Sequence, residues 1–129
     1  MQVQGLDSFE LAVLDKLLAG DHEVLATLRK QANGARLTKR EHTGVGFYCW
    51  FEVGPDAALV QGRGDFEIDD VHAEVPGLAH GAGFVLFIRG GRLDNLEGLT
   101  YDEPWPDQIR ELSLKYSEPE RKAELAKLG

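Results

Sequence analysis

The hydrophobic period of this chain changes once, near Ala35, and that change constrains the fold more than any other feature of the sequence. Before it, apolar residues recur at helical spacing. Beyond it, as far as Tyr116, they alternate with a period of two, as in half-buried strands. Phe9, Val13, Leu14, Leu17 and Leu18 outline a first helix, which Asp7 and Glu10 open as a capping box and Gly20 ends. Asp21 is placed to cap a second helix with Val24, Leu25 and Leu28 on one face, and Asn33-Gly34 stops it. Helices gathered ahead of a run of strands predict an α+β fold.

The strands follow from local pattern. Residues 36–42 are polar and suit an edge, where charge discourages pairing with other chains. Val45, Phe47, Cys49, Phe51 and Val53 alternate with Gly46, Tyr48, Trp50 and Glu52, so both faces of this strand carry aromatic groups. From Phe66 the apolar parity runs through Ile68, then slips to Val71, Ala73 and Val75, which predicts a β-bulge at Asp69-Asp70. Residues 84–88 are apolar on both faces and predict a central strand. Arg89-Gly90-Gly91-Arg92 then supplies a hairpin turn into a partner over 93–101. Leu112, Leu114 and Tyr116 alternate in a last strand, and Ser117 with Glu120 opens a short terminal helix. The expected architecture is one domain over residues 1–129: an antiparallel sheet of about five or six strands, two N-terminal helices on one face, and a short C-terminal helix.

Charge narrows the function classes. Fourteen basic against 22 acidic residues leave a formal net charge of -8, which repels nucleic-acid phosphates and attracts a basic partner. The one compact basic cluster, Arg36, Lys39 and Arg40, is too small for a nucleic-acid footprint. The start of the chain lacks the basic and apolar regions of a signal peptide, and residues 84–88 are far too few to cross a bilayer, so a cytoplasmic protein with no membrane partner is expected. A single cysteine excludes an internal disulfide and a cysteine-rich zinc site.

Two segments could carry chemistry. In a regular strand Asp70, His72 and Glu74 would project to one face, with His80 able to join them across a bend, as acid–base groups or metal ligands. The same alternation is also that of a solvated strand face, and no histidine spacing typical of a metal site accompanies it, so neither metal nor cofactor is expected. Cys49 shares parity with Val45, Phe47 and Phe51, which makes it a core thiol rather than a nucleophile. The second segment runs through Glu97, Tyr101, Asp102, Glu103 and Trp105. Prolines on both sides of Trp105 fix its backbone, so the indole either anchors a recognition patch or covers one end of the core. The glycine pairs at 44 and 46, 62 and 64, and 81 and 83 do not lead into helices and lack the form of a phosphate cradle.

Several stretches resemble small bacterial α+β proteins of no established activity: Leu17-Leu18-Ala19-Gly20-Asp21-His22 through Leu28-Arg29, Thr43-Gly44-Val45-Gly46-Phe47, Gly81 through Ile88, and Arg92-Leu93 through Trp105-Pro106. The resemblance spans most of residues 9–106. The strand–turn–strand ending in Leu96-Glu97 is also similar, at the level of one hairpin, to the closing hairpins of some bacterial immunity proteins, which are acidic and bind basic toxins. It implies a non-enzymatic acidic module that binds a basic protein. The alternatives are a small hydrolase or metal-dependent enzyme using Asp70, His72, Glu74 and His80, and a domain that assembles with itself through a sheet edge or aromatic face.

Overall fold

The computed structural model describes residues 3–107, 109 and 113–129. Two helices, α1 (Ser8–Leu18) and α2 (Glu23–Asn33), precede six strands: β1 (Arg36–His42), β2 (Gly46–Glu52), β3 (Phe66–Glu74), β4 (Ala82–Arg89), β5 (Arg92–Thr100) and β6 (Ser113–Tyr116). A short helix, α3 (Lys122–Lys127), follows. The strands form one antiparallel sheet in the order β1-β2-β5-β4-β3-β6, so the expected α+β architecture is the observed one and the apolar β4 is indeed internal. Leu112, expected in the last strand, lies outside the described residues.

Register decides which side chains meet the helices. Cys49, Leu96, Leu86 and Ile68 lie opposite one another across β2, β5, β4 and β3, as do Phe47, Gly98, Phe84 and Val71. These rows form the core beneath α1 and α2 together with Val13, Leu14, Leu17, Leu25 and Leu28, all almost fully buried. Gly98 is required here because a Cβ at that position would lie 2.2 Å from the Phe47 ring. Strand β3 slips register between Ile68 and Val71, where the bulge was expected, and so buries both Asp70 and Val71.

Two ion pairs hold α1 to the sheet, one between buried Glu10 and a partly exposed arginine and the other buried on both sides. At its first turn, Glu10 closes the capping box with Asp7 and also accepts both Nε and Nη2 of Arg40 on β1. At its last turn, Arg121 forks onto both oxygens of Asp70, at 2.7 and 2.8 Å, and donates to the carbonyls of Leu17 and Ala19. The four C-terminal carbonyls of a helix lack internal donors, and here the guanidinium supplies one to the buried Leu17 carbonyl. The Arg121 plane also sits 4.4 Å from the Tyr116 ring centroid, and the Tyr116 hydroxyl donates to the Lys16 carbonyl.

The structure revises two helix starts. His22, not Asp21, caps α2, with Nδ1 accepting from the Val24 amide at 3.1 Å. The terminal helix begins at Lys122 after Arg121, whose left-handed φ of 56° turns its side chain inward, and Ser117 caps nothing. Reaching Asp70 and the end of α1 costs Arg121 a regular helical conformation.

Removing one member of a buried pair strands the other charge. Arg121→Met should therefore lower unfolding free energy by about 3–5 kcal/mol in urea titration, and adding Asp70→Leu to it should recover most of that loss. Burial opposes ionisation of Glu10, but hydrogen bonds from Arg40, the Asp7 amide and the Cys49 thiol outweigh it and hold the carboxyl below its ordinary 4.5. A lowered folded pKa gives stabilisation that is complete above the unfolded value and lost as pH falls through the folded one. The urea midpoint should decline below pH 4.5, and Glu10→Gln should flatten that decline.

Candidate functional site

The strands that bury one face of the sheet necessarily present another, and neither α1 nor α2 reaches it. Tyr48, Glu97 and Val85 form one outward row across β2, β5 and β4; Trp50, Asn95 and Phe87 form the next. Leu99 and Gly83 continue the face towards His72 of β3 and Lys115 of β6. Tyr48, Trp50, Val85, Phe87 and Leu99 are half-buried, which is unusual for a strand face that no helix covers. Asn95, between Trp50 and Phe87, is buried outright.

The aromatic groups on this face are organised. Tyr48 and Trp50 stack at 5.4 Å between centroids and 22° between planes. Lys39 of β1 lies 5.0 Å over the Trp50 ring and Arg89 lies 5.5 Å over Phe87, so long cationic side chains cover part of the margin. Glu97, directly across from Tyr48, hydrogen-bonds with its phenol and raises the phenol pKa, with burial adding to the effect. Between Arg92 and Arg110 the sequence holds Asp94, Glu97, Asp102, Glu103 and Asp107 and no basic residue. Of these, Glu97 stands on the outward face beside Tyr48, while Asp94 pairs with Arg89.

The recognition patch expected around Trp105 divides in two. Trp105 packs at 5.3 Å on Phe47 and 6.1 Å on Phe9, so the indole covers one end of the core, the second of the roles its flanking prolines allowed. Glu103 accepts the amides of Ala79 at 2.9 Å and His80 at 3.2 Å, and these two donors hold its carboxyl below the ordinary range. It ties the segment after β5 to the loop after β3. Glu97 and Tyr101 lie on the outward face, and Asp102 is an exposed turn residue with φ of 60°. Tyr101 rests over Gly83, where a Cβ would sit 2.3 Å from its hydroxyl.

The acid–imidazole run also divides, because the bulge breaks the alternation that would have aligned it. Asp70 is turned inward onto Arg121, whereas His72, Glu74 and His80 line one open cleft of about 840 Å³ with Lys115, Leu78 and Tyr116. Glu74 pairs with Lys115 across the β3–β6 ladder. His72 Nε2 lies 2.5 Å from Ser117 Oγ, and its Nδ1 lies 3.5 Å from the Tyr101 hydroxyl. Sequence spacing could not show the contact with Ser117, which joins residues 45 positions apart. Among the described residues no group of three or more His, Cys, Asp or Glu side chains is arranged to hold a metal ion.

Cys49 is fully buried beneath α1 and donates to Glu10 at 3.2 Å. Burial first, and the adjoining Glu10 carboxylate second, push its thiol up to about 12. The native protein should therefore resist thiol-reactive disulfide reagents at pH 8, with full modification appearing only when denaturant unfolds it. Among the described residues no helix is long and apolar enough to cross a membrane. The chain matches no family model, no curated protein and no solved structure, so its own geometry carries the functional argument.

Proposed function

We propose that this chain is an acidic protein-binding module whose recognition surface is the outward face of its sheet, and that its partner is a basic protein. One observation carries the proposal. A six-stranded sheet packs its helices on one side and presents stacked Tyr48 and Trp50, Val85, Phe87 and Leu99 on the other. Rigid aromatic side chains bury large areas at low entropic cost and dominate binding energy where they sit near the centre of an interface.

Charge supports a basic occupant. Glu97 stands beside Tyr48 at the centre of the face, exposed Asp102 follows Tyr101 at one end, and the net charge is -8. Aromatic rings with carboxylates at their edges suit guanidinium and ammonium groups, which the rings attract through their negative faces. The chain's own Lys39 and Arg89 already use Trp50 and Phe87 in this way. Trp105 is absent from this surface; the patch centred on Glu97 and Tyr101 is retained and shifts towards Tyr48 and Trp50.

The test is capture from lysate at low salt, followed by direct binding to each purified basic candidate. The module reading expects a partner lost with Tyr48→Ala or Trp50→Ala. It also expects an association rate that falls about tenfold or more with Glu97→Lys and again as salt rises. Trp105→Phe should melt earlier yet bind normally. If the purified partner binds the Tyr48 and Trp50 variants as tightly as the parent, the outward face is not the site. Concentration-dependent dimerisation abolished by those same variants would replace the basic partner with a second copy of this chain.

A further inference from the structure

The contact between His72 and Ser117 is independent of the outward-face reading and leads to a different activity. We propose that Ser117, His72 and Tyr101 form a nucleophile, base and orienting group at the rim of the β3–β6 cleft, and that they hydrolyse small acyl esters. A serine hydroxyl is a poor nucleophile alone; it becomes useful when a base lies within hydrogen-bond reach and a third group fixes that base. Here Ser117 Oγ is 2.5 Å from His72 Nε2, and the Tyr101 hydroxyl faces the opposite ring nitrogen at 3.5 Å.

Each position is set by the fold. The bulge at Asp69-Asp70 returns His72 to the outward face, where its ladder neighbours are Gly83 and Lys115. Gly83 leaves the space that the Tyr101 phenol occupies, since a Cβ would come within 2.3 Å of its oxygen. Ser117 is anchored by its amide, which donates to the Asp70 carbonyl at 2.8 Å, while Arg121 fixes Asp70 from beneath. No carboxylate side chain is hydrogen-bonded to the imidazole among the described residues, so Nε2 is committed to the serine rather than to an ion pair.

The surroundings meet two further requirements. His72 lines a cleft of about 840 Å³ whose side includes Pro76 and Leu78, enough for a short acyl chain, and Ser117 stands beside His72 next to it. The amide of Glu118, the residue after the nucleophile, donates to no protein acceptor among the described residues and is the donor this mechanism assigns to the developing oxyanion. With Nδ1–H directed at Tyr101, His72 Nε2 takes the Ser117 proton as Oγ bonds to the ester carbonyl carbon. The C–O bond to the alcohol then breaks, and His72 returns that proton to the leaving oxygen. Water repeats the sequence with His72 as base, releasing the carboxylic acid and restoring the serine hydroxyl.

An organofluorophosphonate probe on the intact protein tests this directly, because the activated serine displaces fluoride and keeps the phosphonyl group. Peptide mapping should place the label on Ser117. It should be absent in Ser117→Ala, and its rate should fall about 100-fold or more in His72→Gln, the range general-base removal gives. Tyr101→Phe should slow labelling less than His72→Gln does. Hydrolysis of a short-chain nitrophenyl ester should fall in the same order, with circular dichroism melts of the variants near the parent. The parent alone suffices to refute the proposal: no label on Ser117 under conditions that saturate a serine esterase, or label only at other residues, overturns it. Labelling of Ser117 that is unchanged in His72→Gln overturns it equally. Neither outcome touches the outward-face reading, which is tested through Tyr48, Trp50 and Glu97 rather than through the shared Tyr101.

Discussion

The structure depends on how α1 is fastened to the sheet. Apolar burial is non-directional and would hold this helix against the sheet in several orientations. Two arginine–carboxylate pairs remove that freedom, with the partly exposed Arg40 of β1 on buried Glu10 at one end of the helix and buried Arg121 on Asp70 and the last-turn carbonyls at the other. A buried ion pair contributes little net stability compared with apolar residues of the same shape, but its geometry tolerates few alternatives. The pairs therefore fix register and position. They join the first helix to an edge strand and the segment after β6 to the end of that helix, so both ends of the chain become part of one arrangement.

That arrangement has consequences at the surface. Asp70 points inward with the parity of buried Ile68, and the bulge that follows turns Val71 inward as well and so sends His72 outward to Ser117 and Tyr101. Helices on one side leave an aromatic face on the other, where, among the described residues, Lys39 and Arg89 lie over the margins. The face and the cleft meet at His72, Gly83 and Tyr101. A partner docked on the outward face would lie next to the Ser117–His72 pair, so the proposed recognition surface and the proposed catalytic pair share a boundary.

The candidate site was only partly legible in the sequence. Asp70, His72 and Glu74 share parity, but parity identifies a common face only in an unbroken ladder, and the bulge at Asp69-Asp70 invalidated it for Asp70. The flanking prolines showed that Trp105 was rigidly held without showing what it faced; contacts with Phe9 and Phe47 made it a core side chain. Ser117 resembled a helix cap because Glu120 follows at the right spacing. The local signal yielded to Arg121, whose left-handed backbone delays α3 so that its guanidinium can reach Asp70.

The sequence by itself determined the elements: the helical period before Ala35, the twofold alternation after it, the capping box at Asp7, the paired-glycine turn and the bulge are all local features, encoded by residues a few positions apart. It also determined the acidity, a formal net charge of -8. Tertiary structure alone decided the strand order, which face of the sheet stayed uncovered, and which polar groups came together. Arg121 meets Asp70 across 51 residues, His72 meets Ser117 across 45, and Arg40 meets Glu10 across 30. Contacts over such distances depend on the whole chain folding into one register, and no local spacing records them.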